Sequence, residues 1–188
     1  MGRLTFIVGG ARSGKSTHAE KLALDSGGRV LYVATMQPQD DEMRQRIAAH
    51  QGRRPAGWQT IELPVDVGRQ LEAMSPQADV ILLDCVSLLV SNVLLGGAID
   101  LDHPDADASS ARVQSEMDGL LSAIGSIPAR WLVVSNEVGQ GLVPPYPMGR
   151  LYRDLLGWAN QRLAQAADEV VWMVAGIPVP VGQYREKM

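Results

Sequence analysis

A glycine-rich stretch near the N-terminus has the composition and spacing of a phosphate-binding loop. Residues 9–16 read GGARSGKS, which fits the pattern G-x-x-x-x-G-K-S, and an apolar run precedes them. Glycines let successive backbone N–H groups converge on phosphate oxygens, and a helix that begins there adds the positive end of its dipole. In such a loop the lysine reaches the β- and γ-phosphates and the serine hydroxyl binds Mg²⁺. The pattern therefore predicts a nucleoside triphosphate site, with Lys15 on the phosphates and Ser16 on the metal ion.

A carboxylate closes another apolar run, at Asp84 in the stretch DVILLD (79–84). The carboxyl ends of parallel strands are where ligands bind in sheets of this kind. Asp84 is therefore predicted to be the second Mg²⁺ ligand, directly or through water. The alternative is that Asp84 is the N-cap of a helix that starts at Cys85.

The elements that must position these residues alternate along the chain. Short runs that are apolar almost throughout predict strands buried on both faces, at 4–9, 29–34, 79–84, 130–135 and 169–174, with an edge or irregular strand at 58–63. Segments with helical periodicity lie between them, at 15–25, 39–51, 65–74, 86–95, 109–124 and 148–167. Residues 96–110 are expected to form one long exposed loop, and the tail from 176 to 184 a last edge strand. The alternation predicts an α/β fold of the P-loop NTPase-like kind, a doubly wound, mainly parallel sheet with helices on both faces.

Length and composition restrict the class of protein. We expect 188 residues to form a single domain, 1–188, and we find neither an apolar run long enough to span a bilayer nor the pattern of a signal peptide. The lone cysteine, Cys85, excludes an internal disulfide framework and favours a cytoplasmic protein. Residues 1–60 carry nine Lys/Arg against five Asp/Glu, whereas the whole chain has a net charge of −4. A locally basic third of an acidic protein suits a small polyanion such as a nucleotide rather than nucleic acid.

The loop alone leaves the reaction open. A GTPase switch would carry N-K-x-D after a later strand, but residues 135–139 read SNEVG, with Glu137 where lysine is needed. A small-molecule kinase needs only the loop, Mg²⁺ and a site for the acceptor, because phosphoryl transfer depends mainly on positioning and charge stabilisation. A kinase is the first interpretation.

The segment between the second strand and residue 62 adds a candidate nucleophile. His50 ends a predicted helix, and Arg53 and Arg54 follow it at once. A neutral imidazole could attack the α-phosphate of a nucleoside triphosphate, while the arginines bind the phosphates. The alternative is that His50 only interacts with the C-terminal end of the helix. Residue chemistry does not choose between the two.

At this point the sequence resembles a known family, the bifunctional adenosylcobinamide kinase / adenosylcobinamide-phosphate guanylyltransferases of cobalamin assembly. The resemblance covers nearly the whole chain and is carried by GGARSGKS (9–16), LYVAT (31–35), DDEMRQRIAAHQGRRPAGWQTIE (40–62), NEVGQGLVP (136–144) and RDLLGWANQRLAQAADEVVWMVAGI (153–177).

The resemblance implies two reactions at one site. The chain would phosphorylate adenosylcobinamide with ATP or GTP, and would then transfer GMP from GTP to adenosylcobinamide phosphate through a guanylylated His50. It also implies a homo-oligomer, most simply a trimer. The implied nucleotide contacts are Gly9, Gly10, Ala11, Arg12, Ser13, Gly14, Lys15, Ser16, Ala34, Thr35, Gln51, Gly52, Arg53, Arg54, Glu62 and Asp84.

Asp84 departs from the family pattern, where Glu is common, and its shorter side chain could contact the metal ion or the guanine through water. Asn136 and Glu137 are expected in an active-site loop, where they could serve the acceptor or the metal ion. The alternative functions are a single-activity P-loop kinase of another small hydroxylated metabolite, with His50 inert, and a nucleotide-binding regulatory or assembly ATPase.

Overall fold

The computed structural model describes residues 2–36, 55–96 and 100–182. The strands in these ranges are β1 (Arg3–Gly9), β2 (Val30–Ala34), β3 (Gln59–Glu62), β4 (Val80–Asp84), β5 (Arg130–Asn136), β6 (Glu169–Val174) and β7 (Ile177–Pro180). The helices are α1 (Lys15–Asp25), α2 (Val67–Met74), α3 (Val86–Leu95), α4 (Ala106–Ser126) and α5 (Pro147–Ala166).

All seven strands belong to one sheet, in the order β3-β2-β4-β5-β1-β6-β7. Every pairing is parallel except that of β6 with β7, which is antiparallel. The predicted mainly parallel α/β sheet is therefore confirmed. The strand predicted at 58–63 forms the parallel edge strand β3, and the predicted last strand forms the other edge, β7.

The two faces of the sheet are covered unequally. Alternate side chains of the central strands pack into a large core with α2, α3, α4 and α5, around the fully buried Trp131. The opposite side chains pack with α1 through Ala19 and Ala23, in a smaller core that includes Ile7 and Leu82. Because β1, β2, β4 and β5 have helices on both sides, their sequences are apolar almost throughout.

One predicted loop is shorter than expected. Residues 96–110 were expected to be a loop, but α4 begins at Ala106, where the side chain of Asp105 accepts a hydrogen bond from the Ala108 amide at 3.0 Å. This N-cap contact satisfies a free amide of the first helical turn. The polar composition of residues 106–110 is thus that of a solvent-facing first turn rather than of a loop. The helix predicted at 39–51 lies outside the described residues.

Candidate active site

The connection between β1 and α1 is a tight turn that passes twice through the left-handed region of backbone space. Arg12 has a φ of 56° and Gly14 a φ of 93°. The Ser13 amide donates to the Gly10 carbonyl at 3.3 Å, and α1 begins directly afterwards at Lys15. Turns of this kind direct successive amides towards one point, and the first amides of the helix add to them. The loop therefore has the backbone features of an anion site, and the role predicted for GGARSGKS stays a prediction.

Two glycines of the loop are required by the β6–β7 hairpin, which packs behind it. A Cβ at Gly9 would lie 2.6 Å from the carbonyl oxygen of Met173, and one at Gly14 would lie 3.2 Å from Cα of Gly176. The Gly176 amide also donates to the Ser13 carbonyl at 2.9 Å. The sequence could show that glycines stand here, but not that the last hairpin of the chain supports the loop.

Lys15 and Ser13 direct buried polar groups into the loop. The Lys15 side chain is 7% exposed, and its Nζ donates to the Gly10 carbonyl at 2.7 Å. Burial lowers its pKa, an effect opposed by Cys85 and by the carboxylate of Asp84. Among the described residues the buried Ser13 hydroxyl has no hydrogen-bond partner. A phosphate would satisfy both groups, because it is negatively charged and rich in acceptor oxygens.

Asp84 lies at the carboxyl end of β4, level with Ala34 of β2 and Val134 of β5. Its Oδ2 accepts a 2.8 Å hydrogen bond from the phenol of Tyr32. The N-cap residue of α3 is Cys85. The alternative that Asp84 is the N-cap of this helix is therefore wrong.

The strand order sets how far each predicted contact lies from the loop. Adjacent strands are about 4.8 Å apart, so Asp84 lies about 10 Å across the sheet from β1 and Glu62 about 19 Å. Glu62 is exposed at the end of the edge strand β3, in register with Ala34. A nucleotide whose phosphates bind at the loop could therefore reach Glu62 only with its opposite end.

Thr35 joins the ends of β2 and β4. Its side chain is fully buried, and its hydroxyl donates to the Cys85 carbonyl and accepts from the Cys85 amide, both at 2.8 Å. The Asn92 side chain donates to the Thr35 carbonyl at 2.7 Å. Thr35 therefore holds the two strand ends together, with its hydroxyl occupied by backbone groups.

Asn136 and Glu137 lie at the end of β5, the strand between the loop-bearing β1 and the Asp84-bearing β4. The Glu137 amide donates to the Gly9 carbonyl at 2.9 Å, and the Asn136 side chain donates to Ser87 Oγ at 2.7 Å. The Asn160 side chain donates to the Asn136 carbonyl at 3.0 Å. These contacts fasten the start of the NEVG loop beside the phosphate-binding loop.

Tyr32 was missed by sequence reasoning although its position carried a signal. A tyrosine in the otherwise aliphatic run VLYVA must find a hydrogen-bond partner when it is buried. The partner, Asp84, is distant in sequence, so only the pairing of β2 with β4 identifies it. The remaining predicted site residues, His50, Gln51, Gly52, Arg53 and Arg54, lie outside the described part of the chain, and their roles stay predictions.

The donor set suits Mg²⁺ bound together with a nucleotide. Mg²⁺ in such sites is held by one or two protein oxygens, with phosphate oxygens and water completing the octahedron. Ser16 and Asp84 supply a hydroxyl and one carboxylate. Residues 2–36, 55–96 and 100–182 contain no group of three or more His, Cys, Asp or Glu that could hold an ion alone. The hydroxyl of Ser16 and the carboxylate of Asp84 would therefore suit an ion that binds together with nucleotide phosphates.

The strand–loop–helix cradle and the mainly parallel sheet define a P-loop nucleotide-binding protein. The sequence matches the family described as "Cobinamide kinase / cobinamide phosphate guanyltransferase" over residues 5–181, and the chain belongs to this family. The family match confirms the prediction of a bifunctional kinase and guanylyltransferase of cobalamin biosynthesis.

Curated relatives are similar over nearly their whole length. The chain is 42% identical to the bifunctional adenosylcobalamin biosynthesis protein CobP of Pseudomonas aeruginosa, over 94% of this chain and 95% of the relative. It is 42% identical to the protein CobU of Escherichia coli and 43% identical to that of Salmonella typhimurium, each over 95% of this chain and 99% of the relative. The crystal structure of the RadB recombinase is a distant likeness, with 16% identity over 90% of this chain and 73% of its own and a TM-score of 0.49.

Proposed function

We propose that this chain catalyses both reactions named for its family at one nucleotide site. It phosphorylates adenosylcobinamide with ATP or GTP, and it then transfers GMP from GTP to the product to give adenosylcobinamide-GDP. The observation that carries the proposal is the buried Lys15 ammonium over the loop, close enough to Asp84 for their charges to interact, in a chain of this family. The test is turnover of adenosylcobinamide with γ-labelled ATP or GTP, followed by GTP-dependent conversion of the phosphorylated product.

In the kinase step the acceptor hydroxyl attacks the γ-phosphorus. A new O–P bond forms, the bond from the γ-phosphorus to the bridging oxygen breaks, and the hydroxyl proton passes to solvent. The loop amides and Lys15 hold the transferring group and the β-phosphate, where negative charge builds up. Ser16 and Asp84 would hold Mg²⁺, which neutralises charge on the phosphates. This step needs little from the protein beyond positioning, which the phosphate-binding loop would provide.

In the guanylyl step we propose His50 as the nucleophile. Its imidazole nitrogen bonds to the α-phosphorus of GTP, the bond from the α-phosphorus to the bridging oxygen breaks, and pyrophosphate leaves. The phosphate oxygen of adenosylcobinamide phosphate then attacks the GMP–histidine and releases the imidazole. Arg53 and Arg54 would bind the phosphates, and Gln51 and Gly52 would contact the nucleotide beside them. The loop that presents the γ-phosphate in one reaction would hold the departing pyrophosphate in the other.

The covalent step has a direct test. Incubation with GTP labelled at the α-phosphate should leave an acid-labile, alkali-stable label on the protein, and His50→Ala should abolish the label while kinase turnover remains. His103→Ala is the matched control, because His103 is an exposed histidine whose Nδ1 lies 3.3 Å from Oδ2 of Asp100. An unlabelled wild type with intact kinase turnover would favour the single-activity kinase, and equal labelling of His50→Ala would exclude His50 as the nucleophile.

The loop that follows β5 is proposed to form the acceptor side of the site. It begins beside Gly9, and it exposes Leu142 by 97%, Val143 by 67% and Tyr146 by 56%. The Arg150 guanidinium holds the loop by donating to the carbonyls of Pro144 and Pro145, at 3.1 and 2.9 Å. A corrin is a large, mostly apolar ring system, so an ordered loop with exposed apolar side chains beside the nucleotide suits it.

We also propose that the chain is a cytoplasmic homo-oligomer, most simply a trimer. The support for an oligomer is an exposed apolar face of the β6–β7 edge, where Trp172 pairs with Val179 and Val174 pairs with Ile177. Light scattering should give an oligomer for the wild type and a smaller species for Ile177→Asp. No helix in the described ranges is long and apolar enough to cross a membrane.

A further inference from the structure

Tyr32 reaches the predicted metal ligand from the neighbouring strand. Ala34 of β2 is in register with Asp84 of β4, and Tyr32 stands two residues earlier, so its side chain lies on the same face of the sheet. A diagonal cross-strand neighbour of this kind is within reach of an aromatic side chain. The phenol hydroxyl accordingly donates to Asp84 Oδ2 at 2.8 Å.

The ring that carries this hydroxyl is held in place. Tyr32 is 2% exposed and packs in the smaller core, on the face of the sheet that α1 covers. Trp58 stacks on it with ring centroids 6.5 Å apart and an interplanar angle of 28°. A hydroxyl on a ring fixed in this way occupies one position, and so does the carboxylate oxygen that it contacts.

We propose that Tyr32 is a positioning residue for the metal ion of the nucleotide complex. By binding Oδ2 it fixes the rotation of the Asp84 carboxylate and leaves Oδ1 to face the ion or a water bound to it. Mg²⁺ tolerates little departure from octahedral geometry, and groups that orient a metal ligand commonly change metal affinity about tenfold or more when removed. The inference rests on the metal role of Asp84 under the proposed function.

The test measures metal binding without corrinoid and without turnover. Mn²⁺ replaces Mg²⁺, and its binding to the GDP complex is followed by electron paramagnetic resonance. Tyr32→Phe should raise the Mn²⁺ dissociation constant about tenfold, while GDP affinity in EDTA stays that of the wild type. Tyr152→Phe is the matched control, because it removes a different phenol that donates a hydrogen bond, to the Ser87 carbonyl at 3.2 Å. It should leave the Mn²⁺ constant unchanged.

A double-mutant cycle with Asp84→Asn separates positioning from general support of the fold. If Tyr32 acts through the carboxylate, the effect of Tyr32→Phe should disappear in the Asp84→Asn background. The proposal would be overturned if Tyr32→Phe bound Mn²⁺ as tightly as the wild type. It would also be overturned if the effects of Tyr32→Phe and Asp84→Asn on the Mn²⁺ dissociation constant were additive, or if Tyr32→Phe lost as much GDP affinity in EDTA as Mn²⁺ affinity. Trp58→Leu retains the phenol but frees the ring. It should weaken Mn²⁺ binding. If Tyr32→Phe does not fold, Trp58→Leu provides the test, and Mn²⁺ binding equal to that of the wild type would then overturn the proposal.

The same cycle distinguishes this inference from the proposed function. If Asp84→Asn alone left the Mn²⁺ dissociation constant unchanged, Asp84 would not be a metal ligand, and Tyr32 would have no positioning role. An effect of Asp84→Asn without an effect of Tyr32→Phe would overturn only the positioning role.

Discussion

The Nζ of Lys15 lies 2.7 Å from the carbonyl oxygen of Gly10, within the loop that carries both residues. The lysine therefore turns back over its own loop, where its charge is largely shielded from water and close to Asp84. A triphosphate entering the loop would give this ammonium a stronger partner than a neutral carbonyl. The buried ammonium thus favours an anion at this loop.

Lys15→Ala should reduce both activities, because a single loop is proposed to serve both reactions. Loss of a preorganised donor to developing charge typically costs about 10²–10³-fold in turnover. Kinase turnover and labelling by α-labelled GTP are measured on the same preparation. Lys21→Ala is the control, since Lys21 lies exposed on the same helix and should leave both at wild-type levels. A variant that lost only one activity would indicate a second phosphate site.

Gly9→Ala should destabilise the protein and weaken GTP binding together. The added Cβ would lie 2.6 Å from the Met173 carbonyl, a backbone atom that can move only with the last hairpin. Overpacking of this kind costs about 1–3 kcal/mol, and the displaced turn should distort the loop. Denaturant unfolding gives the stability, and GTP titration gives the affinity.

The control for Gly9→Ala is a glycine in open surroundings. Gly125 lies in α4, and a Cβ there would meet nothing within 4 Å. Gly125→Ala should therefore stabilise the protein, by about 0.5–1 kcal/mol, because alanine is the better helix former. Destabilisation by both variants to the same extent would contradict the steric explanation.

Much of the fold could be predicted from sequence because its signals are local. The apolar runs predicted the strands to within a residue or two, and the loop from Gly9 to Ser16 was placed correctly between β1 and α1. The position of Asp84 at a strand end followed from the same pattern.

What the sequence could not predict depends on pairing between distant segments. The order of the strands separates Asp84 from β1 by β5 and places Glu62 four strands away, and neither fact has a local signal. The contacts of Tyr32 with Asp84 and of Gly176 with Ser13 likewise join residues far apart in sequence. Single-sequence patterns show which side chains are buried, but not which of them meet.

Cys85 should react slowly with thiol reagents in the folded protein. Burial, as the main cause, and the negative charge of Asp84, as the second, raise the pKa of its thiol from 9.0 to about 11. Near pH 8 the fraction of Cys85 present as the reactive thiolate is therefore about a hundredfold lower than for a free cysteine. The rate of reaction with a disulfide reagent should rise about tenfold per pH unit towards pH 11.

The lone cysteine makes this experiment specific to one site. In urea the same thiol should react at the rate of a model peptide, which calibrates the comparison. Fast reaction of the folded protein near pH 8 would show that the strand ends joined by Thr35 and Cys85 open readily. It would contradict the tight arrangement of this part of the site.

Replacing Leu142 and Val143 together by serine should weaken binding of the corrinoid and spare the nucleotide chemistry. These side chains are exposed by 97% and 67%, so their loss should cost little stability. If they contact the acceptor, its KM should rise about tenfold or more, since about 1–3 kcal/mol is expected for apolar contacts of this size. Labelling by α-labelled GTP, which needs no corrinoid, should remain unchanged. Leu101→Ser removes an exposed leucine elsewhere on the surface and should alter neither quantity. An unchanged KM in the double variant would place the acceptor away from this loop, and a loss of GTP labelling would show that the loop supports the nucleotide site instead.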